Sequence, residues 1–519
     1  MLKFILNSRF LLVFAIPFSL GCLTVFSFQP FNFSIINFLV LPCLFFLICY
    51  INKKSQNIYR KKPHLTNLFY VGYLFGIGFF LAGTHWISNS LKFDKSFENF
   101  VPLTTILIPL VLGLFYGVGL LAFGKYLKTN IKSIFLFVII LSLIDYTRSK
   151  ILTGFPWNLW GYSWSWFTEI IQILNPIGLF AFNLLVITVY LVPTIFFFRK
   201  SELKYLKLGF ISLLVFTNYL YGNYIINNNN LKINDHLKKN QVINIKVVSP
   251  NFELKYNLSE KQIENRIRKL IKFSDINKDK KTLFIWPEGA LSGQYFFEIE
   301  KFKNLIKRNF SEKHLIVLGV NTLDKKNDEF FNSFLIIDSK FDKKFQYNKI
   351  KLVPFGEFIP QISFLNLIGL KKITEGLGSF SKGKEQNIYS YENTNIIPLI
   401  CYEIIFTELV QNITENKNMI INISEDGWFG NSIGPYQHFS KAIFRAIESD
   451  TYVIRSANKG LSAVINNKGQ VIKTLKNNES GNMEYSLPIL EKNKGNRNDL
   501  IFFILLFTYW FVFLFLKNE

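Results

Sequence analysis

Cysteine, methionine and histidine are scarce in this 519-residue chain, with four, three and five copies. Cys22, Cys43 and Cys49 lie inside apolar runs, where cysteine behaves as a small hydrophobe. That leaves no disulfide framework. No C-x-x-C or comparable spacing suggests a metal site, so none is expected. Acidic residues are also few: 36 Asp and Glu face 59 Lys and Arg, a net charge of +23. An anionic partner, either nucleic acid or a membrane surface, would suit that charge, but so would a simple bias towards Lys, Asn, Ile and Phe. Where the charges fall is more informative than their sum. Internal repeats are missing.

Apolar residues are plentiful, half of the chain, and 57 of them are Phe. They cluster into runs near the roughly 20 residues that cross a bilayer as a helix: Phe10–Phe28, Ile35–Ile51, Leu68–Trp86, Leu103–Phe123, Ile134–Ile144, Phe180–Phe198, Leu208–Ile226 and Leu500–Leu516. The first resembles a signal peptide behind Lys3 and Arg9, but more spans follow without a small-x-small cleavage site, so it reads as a retained helix. Basic residues crowd alternate loops: Lys53, Lys54, Arg60, Lys61 and Lys62; then Lys125, Lys128 and Lys132; then Arg199, Lys200, Lys204 and Lys207. In the third loop Lys92 and Lys95 are offset by Asp94 and Glu98. By the positive-inside rule, these loops and the Lys517 tail are cytoplasmic and the large segment after the seventh span is not. Nucleic-acid binding fits poorly, because the basic residues follow topology.

The expected organisation is a membrane bundle of seven helices over 1–226, a polar linker over 227–240, an α/β domain over 241–498 outside the cytoplasm, and a last helix and short tail over 499–519. Asp145 and Arg148, before Gly154-Phe155-Pro156-Trp157, read either as a snorkelling ion pair or as a mouth facing lipid headgroups. Beyond the linker, strand patterns occur at Ile243–Val248, Thr282–Trp286, Leu315–Val320, Ser333–Ile337, Ile396–Ile400, Met419–Ile423, Tyr452–Arg455 and Ser462–Ile465, with helices such as Glu260–Phe273 and Gln437–Glu448 between them.

Cys401, outside every apolar span, directly follows a strand; a nucleophile at a strand-to-helix turn is exposed beside backbone N–H groups. Glu288, behind Trp286 and Pro287, is placed for the partial desolvation that makes a carboxylate a base. Lys349 supplies a cation for an oxyanion, and Glu357 a carboxylate that aims it. His438 reads as an orienting residue rather than as the base. Read singly, each of these residues also has an ordinary structural explanation.

Together they resemble a known pattern. Trp286-Pro287-Glu288, Tyr347-Asn348-Lys349 with Leu352-Val353-Pro354-Phe355-Gly356-Glu357, and Cys401-Tyr402-Glu403 resemble the Glu–Lys–Cys triad of the nitrilase superfamily. Gly427-Trp428-Phe429-Gly430, Ser432-Ile433-Gly434-Pro435, Gln437-His438-Phe439 and Arg455-Ser456-Ala457-Asn458 are similar to the bacterial apolipoprotein N-acyltransferase family, as are the eight spans and the Gly-Phe-Pro-Trp loop. The resemblance implies a multi-span α-helical bundle of about eight transmembrane helices plus a nitrilase-like α-β-β-α sandwich, in a bacterial inner membrane with the sandwich facing the periplasm.

It implies an acyltransferase in which Glu288, Lys349 and Cys401 are catalytic, with Glu357, Glu403, Asn332 and Tyr402 in support. Tyr256 and Trp428 correspond to substrate-contacting or lid positions. The implied donor is a phospholipid, phosphatidylethanolamine; the acceptor is a diacylated apolipoprotein. No cofactor is implied, and the family suggests a monomer among membrane lipids. Tyr256 stands where the family often has Trp, and Glu425 where Asn is common. A membrane-tethered amidase or nitrilase, and a silent lipid or protein receptor, are the competing readings.

Overall fold

The computed structural model describes residues 8–56, 63–93, 95, 97–198, 204–358, 379–413, 418–490 and 499–516. Loop charges Arg60, Lys61, Lys62, Asp94, Arg199, Lys200 and Lys517, and the expected boundary at 498, lie outside these residues. Two compact units emerge. One comprises Met1–Ser88, Phe100–Tyr224 and Arg497–Glu519; the other comprises Asn89–Asn99 and Ile225–Asn496.

The first unit is helical. Among the described residues, four helices are long and apolar enough to cross a membrane: Ser34–Lys54, His64–Phe93, Glu98–Tyr126 and Leu179–Phe197. Leu11–Ser27 and Leu500–Phe515 are shorter apolar helices. The two remaining expected runs fall within helices Ile131–Lys150 and Lys204–Lys238. A helix satisfies its backbone internally, which a lipid surround demands. Gly76 lets two of these helices approach closely, because a Cβ there would lie 2.8 Å from Gly113 Cα. Asp145 and Arg148 do not snorkel. Their side chains are fully buried, paired at 3.0 Å. Arg148 Nη1 donates to the carbonyls of Phe155 and Trp157, fixing the Gly154–Trp157 loop. With carboxylate and carbonyl partners supplied inside the protein, the guanidinium has no need to reach water.

The expected linker is a correction. Helix Lys204–Lys238 carries no proline, and its last part belongs to the second unit, where Ile226 and Ile233 are buried and the Asn229 and Asn467 amides bond each other. Polar composition signalled a tether, but these few inward contacts hold the segment helical.

The second unit is built on two six-stranded sheets. We number its strands β1 (Val242–Ser249), β2 (Thr282–Ile285), β3 (His314–Asp324), β4 (Glu329–Asp338), β5 (Lys343–Asn348), β6 (Tyr389–Tyr391), β7 (Thr394–Ile400), β8 (Met419–Glu425), β9 (Tyr452–Asn458), β10 (Ser462–Ile465), β11 (Val471–Leu475) and β12 (Gly481–Pro488). The sheet orders are β12-β1-β2-β3-β4-β5 and β11-β10-β9-β8-β7-β6. Side chains alternate across each strand. Ile245, Val247, Leu283, Ile285 and Val317 meet Ile400, Met419, Ile421, Ile423 and Ile454 in a core between the sheets. Val248, Phe284, Ile316 and Leu318 point the other way, onto Ile263, Ile267 and Leu270 of helix α1 (Glu260–Ser274). Helix α2 (Gly434–Ser449) covers the second sheet with Ala442, Ala446 and Ile447 buried. The layers run α-β-β-α. Every residue of β2, β8 and β9 is buried, as interior strands covered on both faces require.

Candidate functional site

The carboxyl ends of several strands deliver the candidate residues. Glu288 lies three residues beyond the end of β2, Lys349 one beyond β5 and Cys401 one beyond β7; Asn332 lies within β4. Buried Trp286, whose indole N–H donates to Ser274 Oγ at 3.0 Å, anchors the turn that carries Glu288.

Lys349 is buried between two carboxylates. Its Nζ stands 2.9 Å from Glu357 Oε1 and 3.7 Å from Glu288 Oε1. Asn332 Nδ2 donates to both acids at 2.8 Å, bracing one against the other. Glu288 Oε2 accepts the backbone N–H of Glu425 at 3.0 Å, and Glu357 Oε2 that of Val353 at 2.8 Å. Burial raises the Glu288 carboxyl above the usual carboxylate range; Lys349 pulls it down and Glu357 pushes it up. Burial alone would depress Lys349, but Glu357, Glu288 and Cys401 outweigh it and hold the ammonium charged. The result is a base of raised affinity beside a fixed cation.

Cys401 is buried with a left-handed backbone at φ +50°. Such a conformation costs a non-glycine residue about 1–3 kcal/mol and is characteristic of functional turns. Burial pushes its thiol up; Glu288 adds to that and Lys349 opposes it. The resting group is therefore a thiol, which needs a base to become a nucleophile. Tyr402 follows, its ring edge-on to Phe406 at 5.1 Å. Glu403 faces away from this chemistry. Its carboxylate accepts from Tyr347 Oη at 2.8 Å and from the N–H groups of Ile350, Lys351 and Ile400 at 2.7, 3.1 and 2.8 Å. It thereby staples the Lys349 turn to the Cys401 turn. Burial pushes the carboxyl up to about 7, against the pull of these donors. Because every neighbour donates, Glu403→Gln would aim an amide NH₂ at N–H groups. We expect it to lose about 2 kcal/mol of stability, measured by thermal unfolding.

Gly319 of β3 lies directly beneath Glu288, and a Cβ there would stand 2.8 Å from Glu288 Cα. Gly319→Ala is expected to displace Glu288 and slow chemistry at the Cys401 thiol by about 10²-fold, measured as the rate of iodoacetamide alkylation of that peptide.

Tyr256 and Trp428 meet with ring centroids 6.0 Å apart. Phe93, of the short Asn89–Asn99 segment, packs edge-on to Trp428 at 5.2 Å. Its position between two apolar spans hid it from the sequence reading. Glu425 is buried; its Oε1 accepts from Gly427 N at 2.8 Å and its Oε2 from Asn458 Nδ2 at 2.7 Å. Burial holds this carboxyl well above the ordinary range. Its backbone N–H, which orients Glu288, carries no side-chain signature and could not be read from sequence. Among the described residues, no group of three or more His, Cys, Asp or Glu side chains is arranged to hold a metal ion.

Residues 20–220 match the family described as apolipoprotein N-acyltransferase N-terminal domain, and residues 257–488 match carbon-nitrogen hydrolase. A Rickettsia prowazekii protein named apolipoprotein N-acyltransferase is 32% identical over 477 residues, covering 90% of each chain. A protein of the same name from Allorhizobium ampelinum is 29% identical over 450 residues, covering 84% of this chain and 83% of its own. Among solved structures, a nitrilase-superfamily protein from Saccharomyces cerevisiae aligns with 48% of this chain and 90% of its own, at 17% identity and a TM-score of 0.34.

Proposed function

This chain belongs to the apolipoprotein N-acyltransferase family, and on that premise we propose that it transfers a fatty acyl group from a phospholipid, through a thioester on Cys401, to the N-terminal amine of diacylglyceryl-cysteine in apolipoproteins. The observation that carries the reading is the buried Lys349 ammonium held 2.9 Å from Glu357 and 3.7 Å from Glu288, in electrostatic reach of the Cys401 thiol.

Glu288 takes the Sγ proton as sulfur attacks the sn-1 ester carbonyl of phosphatidylethanolamine. The Lys349 ammonium and the backbone N–H of Tyr402 stabilise the oxyanion; one such donor contributes about 2.7–4 kcal/mol. The C–O bond to glycerol breaks, Glu288 returns the proton to the departing oxygen, and lysophospholipid leaves. The lipoprotein amine then attacks the thioester. Glu288 accepts a proton from the nitrogen, the C–S bond breaks, and the sulfur regains its proton from Glu288. Splitting the reaction lets two lipid-bearing substrates use one site in turn. Tyr256 and Trp428 offer an aromatic surface for the acyl chain.

The same reading places eight spans in a bacterial inner membrane. All eight apolar runs coincide with helices, and alternating Lys-rich loops favour a periplasmic catalytic unit. Incubating the full chain in detergent with phosphatidylethanolamine and a diacylglyceryl-cysteine peptide tests the transfer. The expected product is peptide heavier by one acyl chain on its amine, with one lysophospholipid per transfer. Free fatty acid with unmodified peptide would instead make the protein a hydrolase; no turnover at all would favour a receptor.

A further inference from the structure

We infer that His438 is a positioning residue for the nucleophile, donating its Nε2–H to the carbonyl oxygen of Cys401 and so fixing the left-handed turn that presents the thiol. This rests on the reading of Cys401 as the acyl carrier. His438 sits on α2, fully buried, with Nε2 3.2 Å from Cys401 O. A carbonyl only accepts, so Nε2 must carry the proton. Asn422 of β8 supplies a second donor to the same oxygen, Nδ2 at 3.4 Å, while also donating to Leu399 O at 3.2 Å.

Both donors are held by one guanidinium. Arg455 of β9 lies opposite Asn422 in the β8–β9 register, and its Nη1 donates to Asn422 Oδ1. Its Nη2 is 3.0 Å from His438 Nδ1 and 2.9 and 2.7 Å from the two Asp426 oxygens. Asp426 Oδ1 also lies 3.0 Å from His438 Nδ1 and accepts from Ser424 Oγ at 2.6 Å. The hydrogen bonds close a ring: Arg455, Asn422, Cys401 O, His438 and back to Arg455. All the side chains of this ring are buried, as are Ser424 and Asp426.

The charges decide the histidine's state. Arg455 and Asp426 neutralise one another. An imidazolium would set a second cation 3.0 Å from the guanidinium, with one carboxylate between them. Burial, then Arg455, depress His438 below its ordinary value while Asp426 pulls it up; the net direction is towards the neutral ring, in which Nε2 holds the proton and Nδ1 accepts from Arg455. The Phe429 ring packs edge-on at 5.4 Å.

Packing alone gives no reason for this arrangement, since burying a charge pair and an imidazole costs several kcal/mol that apolar residues of equal volume would not. The ring reaches the site at the Cys401 carbonyl, and through Asp426 it also holds Ser424, whose hydroxyl bonds the Cys401 thiol. With φ at +50°, that peptide sets both where Sγ points and where the next N–H points.

The test compares His438→Gln, His438→Asn and His438→Leu in the full chain. Gln reaches about as far as Nε2 and retains a donor; Asn has the same amide one methylene short. Two rates are read at the Cys401 peptide by mass spectrometry: acylation by phosphatidylethanolamine in a single turnover, and alkylation by iodoacetamide, which needs no acyl-transfer activity. His438→Asn and His438→Leu are expected to slow both, acylation by about 10²-fold, with the half-saturating phospholipid concentration unchanged. His438→Gln is expected to recover most of that loss. The inference is overturned if His438→Leu acylates and alkylates at wild-type rates, or if folded Gln and Asn variants are equally slow. Should Leu not fold, the Gln and Asn pair decides alone. Wild type that alkylates but never acylates would reject the acyl-carrier reading, while the alkylation rates still judge His438.

Discussion

Cys401→Ala is expected to abolish transfer of acyl groups to a diacylglyceryl-cysteine peptide, lowering the rate by at least about 10⁴-fold, the order seen when a covalent nucleophile is removed. The residual Glu288, Lys349, Glu357 and Asn332 cluster would be intact, because none of their mutual hydrogen bonds uses the cysteine. The variant should therefore fold and still bind phospholipid. The other cysteines, Cys22, Cys43 and Cys49, lie in the helical unit and are not expected to compensate. Initial rates of peptide N-acylation by mass spectrometry check this; a variant retaining a tenth of wild-type activity would remove Cys401 from the mechanism.

Lys349→Met is expected to be nearly as severe, about 10³-fold slower in acylation. Loss of the oxyanion cation alone accounts for 10²–10³-fold, and the base is disturbed as well. Without the ammonium, Glu288 and Glu357 share only the Asn332 amide, and the group that pulled the Glu288 carboxyl down is gone. Breaking a buried charge cluster in this way costs about 3–5 kcal/mol. The pH dependence has a definite sign. A carboxyl whose folded pKa is raised stays protonated while the unfolded chain ionises, so the folded state loses stability as pH climbs from the ordinary carboxylate range through the raised value. Removing Lys349 raises it further. The gap in melting temperature between wild type and variant should accordingly widen as pH climbs above the ordinary carboxylate range. Lys349→Arg is not expected to restore activity, since Lys349 is buried and the broader guanidinium fork does not match a point charge between two acids.

What could be read from the sequence followed burial. The eight strands expected from apolar runs correspond to β1, β2, β3, β4, β7, β8, β9 and β10, which are the interior strands of the two sheets. The four that escaped, β5, β6, β11 and β12, are the four edges. An edge strand has one solvated side and carries charge to discourage further pairing; β5 begins Lys343-Lys344, and β11 is exposed along nearly its whole length. Lys349 follows one of these unseen strands, so its place in the site was legible only through the motif around it. Glu288 and Cys401 follow interior strands, and their positions were readable directly.

Side-chain roles were harder to read than positions. Glu403, close to Cys401 in sequence, turns its carboxylate onto the Lys349 turn, because a 3₁₀ turn over Cys401–Ile405 directs it back toward Ile350 and Lys351. The ring through Asn422, His438 and Arg455 joins two strands and a helix, and its spacing in the chain follows no short motif. The 227–240 segment is polar in composition, which gives a linker pattern, yet Ile233 and Asn229 face inward at helical positions.

The most direct test of the account is the intact mass of the full chain after incubation with phosphatidylethanolamine and no acceptor, beside Cys401→Ala. Wild type is expected to gain one acyl chain, removed by hydroxylamine and absent from the variant. An acyl adduct that survives hydroxylamine, or that appears equally on Cys401→Ala, would contradict a thioester on Cys401, as would no adduct on wild type shown to bind the phospholipid.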